Sequence, residues 1–540
     1  MPSATGGHLL AAALATESVH TVFGLPGVQL DPAMDGLYAH RDQIELMAVR
    51  HEQSATYLAD GYARVSGRPG VAMVVPGPGT LNASAGLATA YACSSPVMLI
   101  AGSIEAHMMG RGLGALHEVA GQTEMLRSLT KWSAVARYPQ EIPDLVHEAF
   151  FQMRSDRPGP VALEVGPDVL RARGDAAIGE PAQARLVVPD RGAVAAAAQQ
   201  LRTARRPLIL AGGGVAPADA GAAVLELAEL LDAPVVLSRN GRGCVDARHP
   251  LVFDPLALRT LRDEADVVVA IGTRLGSSDG GHSDVGTGRL IMINVDRAAF
   301  RFPRPTQLAV YGDAALTARE LAAHLRSSRE RSPDQGWGDS LRRARDWVSE
   351  QLRIVAPQLG YLDAIRSAMP VDGILVSEYT QVGYVASIAF ASYRERGFIS
   401  PGYQGTLGYG FATALGAQVG AGRSPVVSVT GDGGFSWTMS ELSTAKKYNL
   451  GVTVILFRDG YYSNVRRMQR DLWAGHYIGT DLCNPDYPAL ARAFGIPAET
   501  ADSPEQLTSC LQRAVAAEGP HLIDVPVGEF PSPWSLIDAL

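Results

Sequence analysis

Val426-Val427-Ser428-Val429-Thr430-Gly431-Asp432-Gly433-Gly434 is the stretch on which the reading of this 540-residue chain turns. An apolar, β-branched run that ends at Gly-Asp-Gly reads as a buried strand stopping at one carboxylate beside bare backbone N–H groups. That arrangement suits a hard cation bridging to a diphosphate. Residues 435–449 then read as a helix and residues 451–457 (GVTVILF) as a second strand, so Asp459 ends a neighbouring strand, where a second oxygen ligand can meet the first. A lone short glycine motif fits a plain strand-turn-helix with two surface aspartates equally well, so its company decides.

Two further segments keep it company. Val49-Arg50-His51-Glu52-Gln53 precedes the amphipathic stretch SATYLADGYARV at 54–65, which puts Glu52 at a strand-to-helix junction. A carboxyl group there is well placed to be buried, and burial moves a carboxyl toward the range useful in proton transfer. The same position also suits a helix-start carboxylate that complements the macrodipole. Gly405-Thr406-Leu407-Gly408-Tyr409-Gly410, leading into FATALGAQVG, sets one bulky apolar side chain among glycines. By itself that residue reads as core packing.

In this order the three segments resemble the thiamine diphosphate enzymes, acetolactate synthases above all, with benzoylformate decarboxylase a further relative. The resemblance extends over almost the whole chain, through FGLPG at 23–27, VPGPGTLN at 75–82, RPGPVALEVGPDV at 157–169 and the late VPVGEFPSPW. It implies that magnesium is held by Asp432, by Asp459 in the position of the second Asn of the family's Asn-Asn pair, and by the backbone carbonyl of Tyr461. Arg458-Asp459 departs from Asn-Asn and adds a negative charge near an anionic cofactor, which Arg458 is placed to offset. Glu52 corresponds to the activating glutamate, which hydrogen-bonds the aminopyrimidine ring and helps remove the thiazolium C2 proton. Leu407 corresponds to the wedge that bends the cofactor, and the Gly405 carbonyl to the acceptor of the pyrimidine amino group. Gly433, Gly434 and the pair Thr380-Gln381 correspond to the diphosphate anchor, although a Thr-Gln pair at a strand end is otherwise an ordinary turn.

Length fits three domains of ordinary size rather than one core. Alternating strand and helix patterns predict an α/β protein with three doubly wound parallel-sheet domains: a pyrimidine-binding domain at 1–175, a central domain at 188–328 and a diphosphate-binding domain at 337–540. TVFGL, VAMVV and VMLIAG are strand candidates in the first, and PLILAGGGV, APVVLS, ADVVVAIGTRLG and LIMINVD in the second. The Ala-, Gly- and Pro-rich stretch 174–189 and SSRERSPDQGWG at 327–338 read as linkers, the latter exposed. Four scattered cysteines, Cys93, Cys244, Cys483 and Cys510, lack metal-site spacing and read as free thiols. A formal charge of −8 without a basic run argues against nucleic acid. No apolar run suggests a membrane span and no basic-then-apolar N-terminus suggests a signal peptide, so the expected location is cytoplasmic.

Gly212-Gly213-Gly214 after PLIL lacks the G-x-G-x-x-G spacing of a dinucleotide site, and no acidic residue ends the next strand. The corresponding domain holds FAD in acetolactate synthases and is empty in many relatives; a purely structural domain is favoured here, with FAD the alternative. Because Glu52 and Asp432 lie in different domains, the resemblance implies active sites shared between subunits of a homodimer or homotetramer. Val28 and Val75 replace the serine and a histidine of benzoylformate decarboxylase. Leu116-His117-Glu118 occupies the place of Phe-Gln-Glu in acetolactate synthases, making His117 the candidate proton donor. A histidine in a Gly-rich loop is also commonly a hydrogen-bonding surface residue. Gln29 and Gln122 are further pocket candidates, and EYTQVGYVAS lacks the substrate-selecting Trp of acetolactate synthases. Three functions follow: a carboligase of small 2-oxo acids or diketones, a decarboxylase or C–C lyase or hydrolase without carboligation, and a non-catalytic binding subunit.

Overall fold

The computed structural model describes residues 3–276, 284–301, 306–326 and 334–538. Apart from the short antiparallel pair Ala4–Thr5 and Arg173–Gly174, the described strands fall into three six-stranded sheets, each wholly parallel, the α/β architecture expected from the alternating pattern. Parallel strands buried on both faces must be apolar throughout. Val267–Ile271 and Val97–Gly102 are buried at every position for this reason.

The first sheet runs, in spatial order, Glu45–Ala48, Thr21–Gly24, Gly70–Val74, Val97–Gly102, Val161–Val165, Trp132–Ala136. The third repeats that winding with Phe398–Ile399, Ile374–Ser377, Val426–Gly431, Val452–Arg458, His521–Pro526, Ala498–Thr500. The second, centred on Pro207–Ala211 and Val267–Ile271, winds outward from its first strand in both directions. Ligands of open parallel sheets bind beyond the carboxyl ends of the strands where the winding reverses. In the third sheet that point lies between Ile374–Ser377 and Val426–Gly431, whose ends carry Glu378, Thr380 and Asp432.

Helix Glu52–Ser66 lies against helix Tyr409–Ala421, joining the first and third sheets' layers into one core. The backbones approach so closely that a Cβ on Gly61 would stand 2.0 Å from the Thr413 carbonyl oxygen, and one on Gly416 1.9 Å from that of Leu58. Only glycine permits that contact.

Two expectations change in detail. The helix expected at 435–449 begins earlier, at Asp432, and is broken: Asp432–Thr438 gives way to a tight 3₁₀ turn, Met439–Glu441, before Leu442–Lys447. Glu441, the last residue of that turn, is fully buried. Of the linker expected to be exposed, residues 327–333 lie outside the described residues, whereas Asp334 caps helix Gln335–Leu352 and Trp337 is only 1% exposed. The four cysteines are free, and among the described residues no helix is long and apolar enough to cross a membrane.

Candidate active site

Strands Val426–Gly431 and Val452–Arg458 pair in parallel with Gly431 opposite Phe457, so Asp432 and Asp459 leave the same edge of the sheet. The Asp432 carboxylate is buried. Its Oδ2 accepts from the Gly460 N–H at 2.8 Å and from Asn484 Nδ2 at 2.6 Å, and its Oδ1 from the Gly433 N–H at 3.2 Å. Asp459 Oδ1 accepts from the Tyr461 N–H at 3.0 Å, while its Oδ2 accepts from Gln381 Nε2 at 2.7 Å and Ser463 Oγ at 2.5 Å. Desolvation, and then the charge of Asp459, push the Asp432 carboxyl up from its usual range. Arg458 is held by Asp524 in a two-pronged pair at 2.9 and 2.8 Å, though its charge still reaches Asp432.

Tyr461 forms a β-bridge with Asp481 through the bonds Tyr462 N–H to Thr480 O and Leu482 N–H to Gly460 O, both 2.9 Å. The Tyr461 carbonyl takes no part in that bridge. A divalent cation relieves repulsion between paired carboxylates and prefers such oxygen donors. The residues therefore fit a metal–diphosphate. Gln381 bonds Asp459, the Gly528 carbonyl and the Phe530 N–H, which ties the loop that carries Asp459 to the C-terminal segment. Thr380 caps helix Gln381–Ala389 through the Gly383 N–H at 2.9 Å, and a Cβ on Gly431 would meet its methyl at 3.2 Å.

Beneath this end lies Glu378, buried, accepting the Gly408 N–H at 2.8 Å and the Thr430 hydroxyl. Burial raises its carboxyl from 4.5 to about 7, against the pull of those donors and of the Tyr409 and Gly410 N–H groups. A Cβ on Gly434 would stand 2.3 Å from Glu378 Oε1, and one on Gly433 2.8 Å from the Tyr462 ring. The glycines are thus required by the floor beneath them.

Glu52 opens its helix with His51 as N-cap, is 8% exposed, and accepts from Asn82 Nδ2 at 3.0 Å. The His117 backbone lies against Gly77, where a Cβ would come 2.3 Å from the His117 carbonyl oxygen; a Cβ on nearby Gly79 would sit 3.6 Å from Glu52 Oε1. His117 and Glu52 therefore flank one loop. His117 itself has a positive φ of 66°, and its buried Nδ1 has no hydrogen-bond partner. Gln122 braces this loop, accepting from the Gly77 N–H and donating to the Gly102 carbonyl and Glu164, while Gln29 donates to the Leu116 carbonyl. Leu407 is 36% exposed; its carbonyl accepts from Gln53 Nε2 at 3.4 Å, and the Tyr57 hydroxyl meets Thr406. Gly405 has φ +56° and packs on the Tyr379 ring.

Residues 4–125, 194–321 and 379–525 match, respectively, the N-terminal TPP binding, central and C-terminal TPP binding domains of thiamine pyrophosphate enzymes. The chain belongs to the thiamine pyrophosphate enzyme family. It is 34% identical over 530 residues to a probable 2-ketoarginine decarboxylase, AruI, of Pseudomonas aeruginosa, covering 96% of this chain and 94% of that protein. It is 30% identical over 553 residues to the acetolactate synthase isozyme 2 large subunit of Escherichia coli, covering 98% and 97%. A probable acetolactate synthase large subunit of Methanocaldococcus jannaschii matches at 30% over 550 residues, covering 97% and 92%. This thiamine pyrophosphate enzyme is accordingly acetolactate synthase-like, a transferase or carboxy-lyase. Its cofactor is thiamine diphosphate.

Sequence reasoning missed Asn484, Asn82 and Glu378. Asn484 stands in Asn-Pro-Asp-Tyr, a turn signal, and Glu378 directly follows the apolar ILVS strand. Asn82 lies within helix Pro78–Cys93, and nothing local announces the distant partner of any of the three. Gly213 and Gly214 of the Gly212-Gly213-Gly214 turn line a cavity of about 1320 Å³ among the three sheets, together with Arg239, Arg242, Arg274 and Arg396.

Proposed function

We propose that this enzyme is a magnesium-dependent carboligase or decarboxylase of small 2-oxo acids or diketones. The observation that carries the reading is the carboxylate pair Asp432 and Asp459 at the carboxyl ends of adjacent parallel strands, above the Glu378–Gly434 floor. Asp432, Asp459 and the Tyr461 carbonyl would hold the metal, and Gly433, Gly434, Thr380 and Gln381 would line the diphosphate. Glu52 would hold and exchange a proton with the pyrimidine ring, Leu407 would set the cofactor's bend, and the Gly405 carbonyl would accept from its amino group. When bound, thiamine diphosphate supplies the electron sink that lets the bond to a carboxylate break. The chain's own residues bind, orient and move protons around it.

A second reading, protonation and release without carboligation, is favoured by His117, whose buried Nδ1 has no hydrogen-bond partner and which would be the proton donor on the substrate side. The decarboxylase name of the Pseudomonas relative agrees with it.

The reading includes a homodimer or homotetramer. Val465, Leu472, Trp473 and Ile478 are 52 to 80% exposed on the helix and loop that follow Tyr461, and Val28, Leu113 and Leu116 are exposed around the His117 loop. Apolar surface beside both half-sites is what a second copy would cover. The central domain is assigned a structural role rather than FAD. Arg242 is committed to Asp254 and two carbonyls, and Arg396 to Asp219 and two carbonyls, so two of the cavity's arginines hold the sheets' layers together. Scattered free thiols suit a cytoplasmic setting.

The test is incubation of pure protein with thiamine diphosphate, magnesium and a panel of 2-oxo acids, with and without aldehyde acceptors, and product identification by mass spectrometry. A coupled product is expected. Carbon dioxide alone selects the second reading, and no turnover together with no calorimetric cofactor binding overturns both. Flavin absorbance in the purified protein would refute the structural role of the central domain.

A further inference from the structure

The four residues before Glu52 do not find their hydrogen-bond partners locally. The Ala48 N–H donates to the Tyr448 hydroxyl at 2.7 Å, the Arg50 N–H to both oxygens of Glu441 at 3.0 and 3.2 Å, and the His51 N–H to Glu441 Oε1 at 3.1 Å. Val49 alone bonds within its own sheet's layer, to the Gly24 carbonyl. Three of four consecutive backbone donors leading to Glu52 are therefore satisfied by side chains that lie 390 to 400 positions away.

Glu441 is an expensive way to make those bonds. Its side chain is fully buried, and burial pushes its carboxyl up from the usual range even though Thr444 and the Arg50 and His51 N–H groups all donate to it. Leaving a buried carboxylate is costly unless each lone pair has a partner. The 3₁₀ turn Met439–Glu441 interrupts the helical run after Asp432 and delivers this carboxylate inward. Neutral water or a local hydroxyl could satisfy two amides; a carboxylate with both oxygens engaged also fixes their direction.

We propose that Glu441, seconded by Tyr448, is a positioning residue that sets the backbone from which Glu52 presents its carboxyl. It touches neither substrate nor cofactor. The inference rests on the proposed proton-transfer role of Glu52. A carboxyl that must meet one ring nitrogen tolerates little displacement, because a misplacement of about 1 Å costs on the order of a hundredfold in rate.

The test compares wild type with Glu441→Gln, Tyr448→Phe and Glu52→Gln in the full-length protein with thiamine diphosphate and magnesium. Three quantities are read: C2 proton exchange of the bound cofactor by NMR, cofactor affinity by calorimetry, and backbone hydrogen exchange of a peptide covering residues 48–52. In Glu441→Gln, one acceptor oxygen becomes a donor facing donors. C2 exchange should fall on the order of tenfold to a hundredfold, exchange in the 48–52 peptide should rise, melting temperature should fall by what one buried unsatisfied donor costs, and cofactor affinity should stay close to wild type. Tyr448→Phe, which removes one hydroxyl and keeps the ring, should show the same pattern more weakly and guards against a Glu441 variant that fails to fold. Normal C2 exchange in Glu441→Gln alongside slowed exchange in Glu52→Gln overturns the positioning role alone. A fall of cofactor affinity in step with C2 exchange also overturns it, because it marks a merely structural residue. Normal C2 exchange in Glu52→Gln overturns the functional reading and this inference with it.

Discussion

Gly434→Ala tests whether the diphosphate end is built as a glycine turn pressed on a carboxylate. The added Cβ would stand 2.3 Å from Glu378 Oε1 and 2.4 Å from its carboxyl carbon. Non-bonded contacts settle near 3.5 Å, so about 1 Å of movement is required. Glu378 resists retreat, since the Gly408 N–H at 2.8 Å and the Thr430 hydroxyl hold it from the other side. If it yields, a buried acceptor is left unsatisfied at a cost of about 1–3 kcal/mol. If the helix yields instead, Asp432 moves with it, and on the proposed reading the magnesium it would hold, which demands oxygen ligands near 2.0–2.1 Å, would not keep this ligand after a displacement of about 1 Å. Either path predicts a folded variant with a lowered melting temperature, and the second predicts that magnesium-dependent cofactor affinity falls by more than about tenfold, or about 1.4 kcal/mol. Calorimetric titration of thiamine diphosphate with and without magnesium reads the affinity, and thermal melting reads the fold. Glu378→Ala in the Gly434→Ala background removes the obstruction and should recover part of the lost affinity. Wild-type affinity and melting in Gly434→Ala alone would refute the packing argument.

Glu378 also predicts a pH dependence: its folded carboxyl titrates near 7 against 4.5 unperturbed, so the stability this protonation contributes is complete below about pH 4.5 and lost as pH rises through 7, up to about 3 kcal/mol. The melting-temperature gap between Glu378→Gln and wild type should therefore widen in the variant's favour from pH 5 to 8, whatever the constant offset from the substitution itself, and a flat gap refutes the shift. Arg458→Met strands Asp524, whose side chain is 3% exposed, and because Arg458 itself is 35% exposed the expected cost is about 2 kcal/mol rather than that of a fully buried pair. Urea unfolding of the two proteins measures it, and an unchanged midpoint would show that Asp524 finds another donor.

The parallel sheets were legible because strands covered on both faces must be apolar without interruption, and VAMVV, VMLIAG, PLILA, VVVAI and VVSV announce themselves. The edge strands Glu45–Ala48 and Trp132–Ala136 did not. Both are mostly half-exposed, so their composition is mixed and their periodicity is lost in the flanking turns. The helix expected at 435–449 failed for a different reason. Its pattern is helical throughout, and the break at Met439–Glu441 accompanies a bond to backbone in another layer, information that no local window contains.

The same distinction divides the site. Asp432 and Asp459 could be paired from sequence because two consecutive strands of a doubly wound sheet, Val426–Gly431 and Val452–Arg458, are also neighbours in space. Asn484, Asn82 and Glu441 reach their partners across 52, 30 and 391 positions, between elements whose adjacency depends on the sheet order and the packing of whole layers. Gln381 illustrates the consequence: its amide bonds the Asp459 carboxylate and the C-terminal segment, partners that its own stretch of sequence does not announce. Residues that would touch the cofactor lie at strand ends and repeat a recognisable order. Those that hold them in place answer to tertiary geometry, and each is a polar side chain buried at a cost that only its distant partner offsets.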